Sequence, residues 1–210
     1  MMTSESNLVE AYFDHYAKQA SVVPRLELER MANIIWDASL SGGTVYVFGN
    51  GACAALAAHM ATDLSKGTAV ALGAAGEALR QPRIRIVSLS DNTALLTAYG
   101  NDFGYEYVYV EQLRCLLHAG DVVMALSGSG GSPNVLHALD YAKSVGVHRL
   151  GLTGQQDSAV KLVSRCDVTV QAPSSMMEHI EDWHVIYNHV LTLLLRARLR
   201  AYVDGGTDGA

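Results

Sequence analysis

The chain has 210 residues and a formal charge of −6; half of it is hydrophobic and 17% is charged. This length suits one domain, and the apolar fraction suits a well-buried globular enzyme rather than a disordered chain. The acidic balance argues against nucleic acid as a partner, because binding a phosphate backbone needs clustered Lys and Arg, but it leaves room for a small phosphorylated ligand held by backbone N–H groups.

The N-terminal part of the chain, residues 5–40, has helical periodicity and no strand signal. Pro24 divides it into two helices. The sequence Ser41-Gly42-Gly43 then ends the second helix.

After residue 43, short apolar runs alternate with helical stretches. The runs, each about five residues and mostly β-branched, are typical of parallel strands covered on both faces. They occupy residues 44–48, 84–89, 121–126, 149–153 and 167–171. The helical stretches between them are 52–66, 92–99, 105–118, 133–145 and 157–164. This succession predicts an α/β fold with a doubly wound, five-stranded parallel sheet.

The last part of the chain predicts one long helix over residues 174–202, acidic early and rich in arginine near its end, as suits the helix dipole. With no linker or internal repeat, we expect a single domain over 1–210. The leading helices occupy 1–40, the α/β core and last helix 44–202, and a flexible tail 203–210.

The carboxyl ends of the predicted strands carry small, polar sequences, and ligands of doubly wound sheets bind beyond these ends. The strongest signal is the Ser/Gly loop over 127–132, which contains Ser127, Gly128, Ser129 and Ser132. Glycines let backbone N–H groups converge, hydroxyls add donors, and a helix N-terminus adds partial positive charge. This loop predicts a phosphate site, and the alternative is a turn that only caps a helix.

Two further groups could carry chemistry. His59 and Asp63, four residues apart on one helix, project on one face and suit a metal site or an acid/base pair, although a solvated pair has the same spacing. On the last helix, Glu181 and His189 can converge, but Glu178, Asp182 and His189 can do so equally well, and a solvent-facing first turn of the helix is a further alternative.

Four segments in this order resemble the sedoheptulose 7-phosphate isomerases, or phosphoheptose isomerases, of the sugar isomerase (SIS) fold group. They are GNG followed by H-x3-D, SLSDNTALLTAYGNDFGYEYVY, LSGSGGSPNVLHAL and HIEDWHVIYNH. The resemblance covers about residues 8–200 and implies a flavodoxin-like SIS sheet behind two helices. It also implies a homotetramer with active sites at subunit boundaries.

The resemblance also implies residue roles. The phosphate loop corresponds to Ser127, Ser129 and Ser132, and the turn beside the sugar to Asn50 and Gly51, with Asp91 and Glu178 near the substrate. The zinc ligands of metal-containing members match His59, Asp63, Glu181 and His189. We assign Asp63 as the base that removes a carbon-bound proton and His189 as the partner acid/base, in a metal-assisted aldose–ketose isomerisation through an enediol.

Three positions depart from the family. Its Glu is the shorter Asp63, its Gln is the acidic Glu181, and its phosphate-side Ser is Cys53, a weaker donor. The rival hypothesis is a non-catalytic SIS-fold regulator that binds a phosphosugar or a protein. The relative that binds a replication initiator lacks the carboxylate and the histidine found here at Asp63 and His189, so we favour the enzyme.

The remaining expectations concern environment. The three cysteines form no CxxC pair, and their odd number argues against a disulfide framework and for a reducing compartment. The N-terminus has no signal-peptide pattern, and the apolar stretch over 185–195 is too short to span a bilayer, so we expect a cytoplasmic protein without membrane contact.

Overall fold

The architecture is a five-stranded, all-parallel sheet in the order β2-β1-β3-β4-β5. It comes from a computed structural model that describes residues 5–69 and 82–205. The strands are β1 (Thr44–Gly49), β2 (Arg85–Ser88), β3 (Val122–Leu126), β4 (His148–Thr153) and β5 (Val168–Gln171). This order is that of a flavodoxin-like sheet, and it confirms the predicted fold class.

Helices cover both faces of the sheet. They are α1 (Glu5–Gln19), α2 (Arg25–Ser41), α3 (Ala52–Ser65), α4 (Thr93–Asp102), α5 (Val108–Leu116), α6 (Pro133–Val145), α7 (Val160–Val163) and α8 (Met177–Gly205). Within the described ranges, no helix combines the length and apolarity needed to cross a membrane.

Several helix boundaries differ from the predicted ones, and α4 ends at Asp102 instead of residue 99. The helices predicted over 105–118 and 157–164 each begin as a 3-10 turn, at Tyr105–Tyr107 and Asp157–Ala159. The last helix begins at Met177, later than predicted, and continues to Gly205, past the predicted end at residue 202. Residues 206–210 of the predicted tail lie outside the described residues.

The core lies on both faces of the sheet, because alternate residues of a strand point to opposite sides. On β1, Val45 and Val47 pack with α2, α3 and α8, whereas Tyr46 and Phe48 pack with α5 and α6. Burial on both sides explains why the central strands appear in the sequence as continuous apolar runs.

The strand order reverses between β1 and β3, which are neighbours in the sheet, with Val47 level with Met124. The segments that follow these two strands therefore diverge to opposite faces and leave a crevice between them. The GNG turn and the Ser/Gly loop both lie at this point.

Candidate active site

The loops after β1 and β3 enclose a cavity of about 290 Å³ at the carboxyl edge of the sheet. Its lining combines these two loops with the first turns of α3 and α8. The lining residues are Asn50, Gly51, Ala52, Cys53, Leu126, Ser127, Gly128, Ser129, Ser132, Met177 and Glu181. Most of the residues predicted to bind phosphate or substrate therefore surround one space.

Hydrogen bonds hold the Ser/Gly loop in shape. The Gly130 N–H donates to Ser127 Oγ at 3.1 Å, and the Gly131 N–H donates to Ser129 Oγ at 3.3 Å. Gly130 has φ +66°, and a Cβ there would lie 2.6 Å from the Ala159 Cα, so this turn needs a glycine. Ser132 precedes α6 without a side-chain capping bond, which leaves its hydroxyl available to a ligand.

Asn50 is held by a second network. Asn50 and Asn134 exchange two amide hydrogen bonds of 2.9 Å. The Tyr105 hydroxyl donates to Asn50 Oδ1 at 3.1 Å, and the Tyr109 hydroxyl, which donates to the Gly49 carbonyl, lies 3.3 Å from the same Asn50 oxygen. Because its carbonyl oxygen is already shared by these donors, Asn50 can offer a sugar only the second N–H of its amide.

Cys53 lies at the start of α3 with its thiol buried in the wall of the cavity. Burial raises the pKa of the thiol, a hydrogen bond from the Gly128 backbone partly offsets this effect, and the Glu181 carboxylate raises the pKa further. Cys53 is therefore a neutral, weak donor rather than a thiolate.

A second cavity, of about 240 Å³, shares Ala52, Cys53 and Glu181 with the first and extends it along the groove between α3 and α8. Leu56 and His184 also line it. His184 is fully buried, and burial lowers its pKa to about 4, so its imidazole is neutral at physiological pH.

Farther along the same two helices, His59, Asp63 and His189 form a cluster. Nε2 of His59 lies 3.0 Å from Asp63 Oδ2, and Nε2 of His189 lies 3.8 Å from the same oxygen. The potential ligand atoms of these three residues all lie within 4.8 Å of one another. A third group on another helix distinguishes this cluster from a solvated pair on one helix.

Known proteins match this chain over most of its length. The SIS domain family matches residues 11–154. The phosphoheptose isomerase of Campylobacter concisus is 32% identical over 191 residues, which cover 91% of this chain and 94% of that protein. The chain belongs to the phosphoheptose isomerase family.

Other relatives agree. The phosphoheptose isomerase of Rhodospirillum rubrum is 34% identical over 169 residues, 80% of this chain and 84% of that protein. The solved phosphoheptose isomerase of Neisseria gonorrhoeae superimposes with a TM-score of 0.80 at 26% identity, covering 92% of this chain and all of that one. The prediction of a sugar-phosphate isomerase is confirmed at this level.

Compared with the ligand set that the family resemblance implied, the structure brings together three of the four residues. Glu181 is not part of the His59, Asp63 and His189 cluster in the described part of the chain. It lies two turns before His189 on α8 and lines both cavities beside Cys53. It therefore lies at the cavities instead of in the cluster, and its role as a metal ligand stays a prediction.

Three acidic residues singled out in the sequence are also outside the cluster of His59, Asp63 and His189 among the described residues. Asp91 is exposed and accepts a 2.7 Å hydrogen bond from Ser88 Oγ, and neither Asp91 nor Glu178 is among the residues that line the two cavities. Asp182 lines the second cavity, but it accepts a 2.6 Å hydrogen bond from Tyr12. The alternative grouping of Glu178, Asp182 and His189 does not form a cluster among the described residues.

Sequence reasoning missed the residues that support the site. Asn134, Tyr105 and Tyr109 surround Asn50, and Asn188 donates a 2.8 Å hydrogen bond to Asp63 Oδ2. Asn188 had a signal in the sequence, because a polar residue beside His189 interrupts an otherwise apolar stretch of helix. The contacts of the other three depend on how α5, the 3-10 turn before it and α6 pack against the end of β1.

Proposed function

We propose that this protein converts sedoheptulose 7-phosphate to D-glycero-D-manno-heptose 7-phosphate through an enediol. The observation that carries the proposal is the groove between α3 and α8. At one end of the groove is the cavity lined by the Ser/Gly loop, here called the phosphate cavity. The cluster of His59, Asp63 and His189 lies farther along the same helices. The names of the curated relatives support the choice of a heptose phosphate.

The spacing of residues along α3 supports a substrate of this length. Helix α3 rises about 1.5 Å per residue, so Cys53 at the phosphate end and His59 in the cluster are roughly 9 Å apart along its axis. A phosphate at the Ser/Gly loop therefore places the first carbons of an extended seven-carbon sugar near the cluster. Binding the remote phosphate orients the reacting carbons and supplies part of the barrier reduction.

The cluster suits a zinc ion. Two imidazoles and one carboxylate are a donor set found in catalytic zinc sites, which keep a further position open for water or substrate. His59, Asp63 and His189 would hold the ion, with Glu181 as a further ligand only if its side chain moves toward them. When bound, zinc would polarise the substrate oxygens and stabilise negative charge on the enediolate.

The two oxygens of Asp63 have different surroundings and can have different roles. Oδ2 faces both histidines and accepts the hydrogen bond from Asn188, whereas Oδ1 has no hydrogen-bond partner among the described residues. Asp63 Oδ1 would remove a proton from C1 of the ketose and return it to C2. His189 would carry the proton of the C1 hydroxyl to the C2 oxygen, so that the aldose forms with no net gain or loss of protons.

The test is turnover of sedoheptulose 7-phosphate by purified protein, followed by NMR, with chelator and then with added zinc. We expect activity that chelator removes and zinc restores. Asp63→Asn should abolish turnover while phosphosugar binding persists, and Asp140→Asn is the control, because Asp140 is exposed on α6, pairs with Arg165 and lies outside both cavities. Full activity of Asp63→Asn would refute the base assignment, and a protein that binds the phosphosugar without turnover would favour the regulator.

The same proposal includes a cytoplasmic homo-oligomer, most simply a tetramer. Leu8, Val9 and Phe13 on α1 are exposed, and a largely apolar cavity of about 480 Å³ lies between this helix and the start of α8. Apolar surface of this kind is typical of interfaces. Light scattering should give a mass near four chains, and a monomer would contradict this part of the proposal.

A further inference from the structure

Asn188 is a buried polar residue with an unusual position. It lies on α8 directly before His189, and none of its surface is exposed. Its Nδ2 donates to Asp63 Oδ2 at 2.8 Å, the same oxygen that faces His59 at 3.0 Å and His189 at 3.8 Å. Its own Oδ1 is buried and has no partner among the described residues.

Packing alone does not account for this residue. A leucine would fill a similar volume without burying an amide, and a buried acceptor that makes no hydrogen bond is unfavourable. The contact is not needed to join the helices either. Arg196, two turns later on α8, donates to the carbonyl of Gly67 at 2.6 Å, just past the end of α3.

We propose that Asn188 is a positioning residue that holds Asp63 Oδ2 toward the two imidazoles. This inference deepens the proposed function and rests on it. A carboxylate on the short aspartate side chain can rotate, and the amide fixes which oxygen faces the histidines. The other oxygen, Oδ1, is then directed to the substrate. Groups that orient metal ligands in this way commonly change metal affinity by about 10- to 100-fold when they are removed.

The first measurement is zinc affinity by competition with a chromophoric chelator, using the full-length protein. Asn188→Leu should weaken zinc binding by about 10- to 100-fold. Thr192→Val is the matched control. Thr192 is one turn later on α8 and is also buried, with a hydroxyl that has no hydrogen-bond partner among the described residues, so this variant should bind zinc like the wild type.

A double-mutant cycle separates positioning from general damage. If Asn188 acts through Asp63, Asn188→Leu should change zinc affinity by less than about twofold in an Asp63→Ala background. An equal loss in both backgrounds, or no loss in either, would overturn the inference. If the leucine variant does not fold, zinc affinity is measured for Asn188→Ala in the same double-mutant cycle.

Kinetics with sedoheptulose 7-phosphate distinguish this inference from the proposed function. If the wild type binds zinc but does not turn over this sugar, the substrate is wrong, and the zinc cycle still decides the role of Asn188. If the wild type turns over the sugar without binding zinc, the reaction does not use zinc, and kcat then tests the role of Asn188. Asn188→Leu must then lower kcat at least tenfold with KM nearly unchanged, and an unchanged kcat would refute positioning.

Discussion

Replacing Gly130 with alanine tests whether the Ser/Gly loop has the shape that the phosphate site requires. Gly130 has φ +66° and lies directly between Ser129 and Gly131 in the loop. A new Cβ would be 2.6 Å from the Ala159 Cα and 2.9 Å from Thr153 Oγ1. Because one of these neighbours is backbone, the loop itself has to move.

Two terms set the size of the effect. A residue with a Cβ in the left-handed region loses about 1–2 kcal/mol relative to glycine. Crowding of this kind in a packed region adds about 1–3 kcal/mol. Together they predict a loss of about 2–5 kcal/mol, which corresponds to a fall in Tm of roughly 5–15 °C for a chain of this size.

Gly146→Ala is the matched control. Gly146 ends α6 with φ +83°, but a Cβ there would meet nothing within 4 Å, so only the backbone term of about 1–2 kcal/mol applies. Thermal unfolding at equal protein concentration gives the stabilities, and calorimetric titration with sedoheptulose 7-phosphate gives the affinities. We expect Gly130→Ala to bind at least tenfold more weakly and Gly146→Ala to bind normally. Equal destabilisation of the two variants, or normal binding by Gly130→Ala, would refute the loop geometry.

Three further predictions concern the groove. Cys53→Ser should tighten phosphosugar binding by about fivefold, since a hydroxyl is a better donor than a thiol; equal binding by Cys53→Ala and Cys53→Ser would contradict this. Glu181→Gln should lower KM about three- to tenfold, because it removes a negative charge beside the substrate, and it should leave zinc affinity unchanged. A tenfold loss of zinc affinity would instead show that Glu181 is the fourth zinc ligand. Since burial lowers the pKa of His184 from 6.5 to about 4, the unfolded chain binds more protons between these values, and stability should fall by about 2 kcal/mol from pH 7 to pH 5 on account of this residue. Urea unfolding of His184→Phe should show a loss smaller by that amount, and an unchanged pH dependence would show that His184 is not buried in the neutral form.

The sheet could be predicted from the sequence because its strands are buried on both faces. Runs such as Val45–Phe48 are continuous and apolar, and polar turns mark their carboxyl ends. The residues at which helices begin were harder to predict from the sequence. Residues 105–107 and 157–159 form 3-10 turns, which the periodicity of an α-helix does not distinguish.

The Ser/Gly loop and the cluster of His59, Asp63 and His189 also differed in how well they could be predicted from the sequence. The Ser/Gly loop is local, so its composition alone predicted a loop at the carboxyl edge of the sheet, and the structure places that loop in the wall of the cavity. The cluster joins α3 to α8 across more than a hundred residues, and spacing alone left Glu178, Asp182 and Glu181 as equal candidates. In the structure, none of the three joins the cluster of His59, Asp63 and His189 among the described residues. Tyr12 on α1 hydrogen-bonds to Asp182, and the first turns of α8 bring Glu181 to Cys53 instead of to His59.

The charges along the groove explain why its two ends need different chemistry. Among the described residues that line the phosphate cavity there is no lysine or arginine, and the charged side chain there is the acidic Glu181. In the proposed function, a dianionic phosphate would therefore be held by loop N–H groups, serine hydroxyls and the N-termini of α3 and α6, whose partial positive charges do not depend on pH. That arrangement would orient the sugar but would not stabilise the negative charge that the proposed mechanism develops at the reacting carbons. A cation held by His59, Asp63 and His189 would do so, and under that proposal the position in which Asn188 holds the Asp63 carboxylate would matter more than the overall charge of the protein.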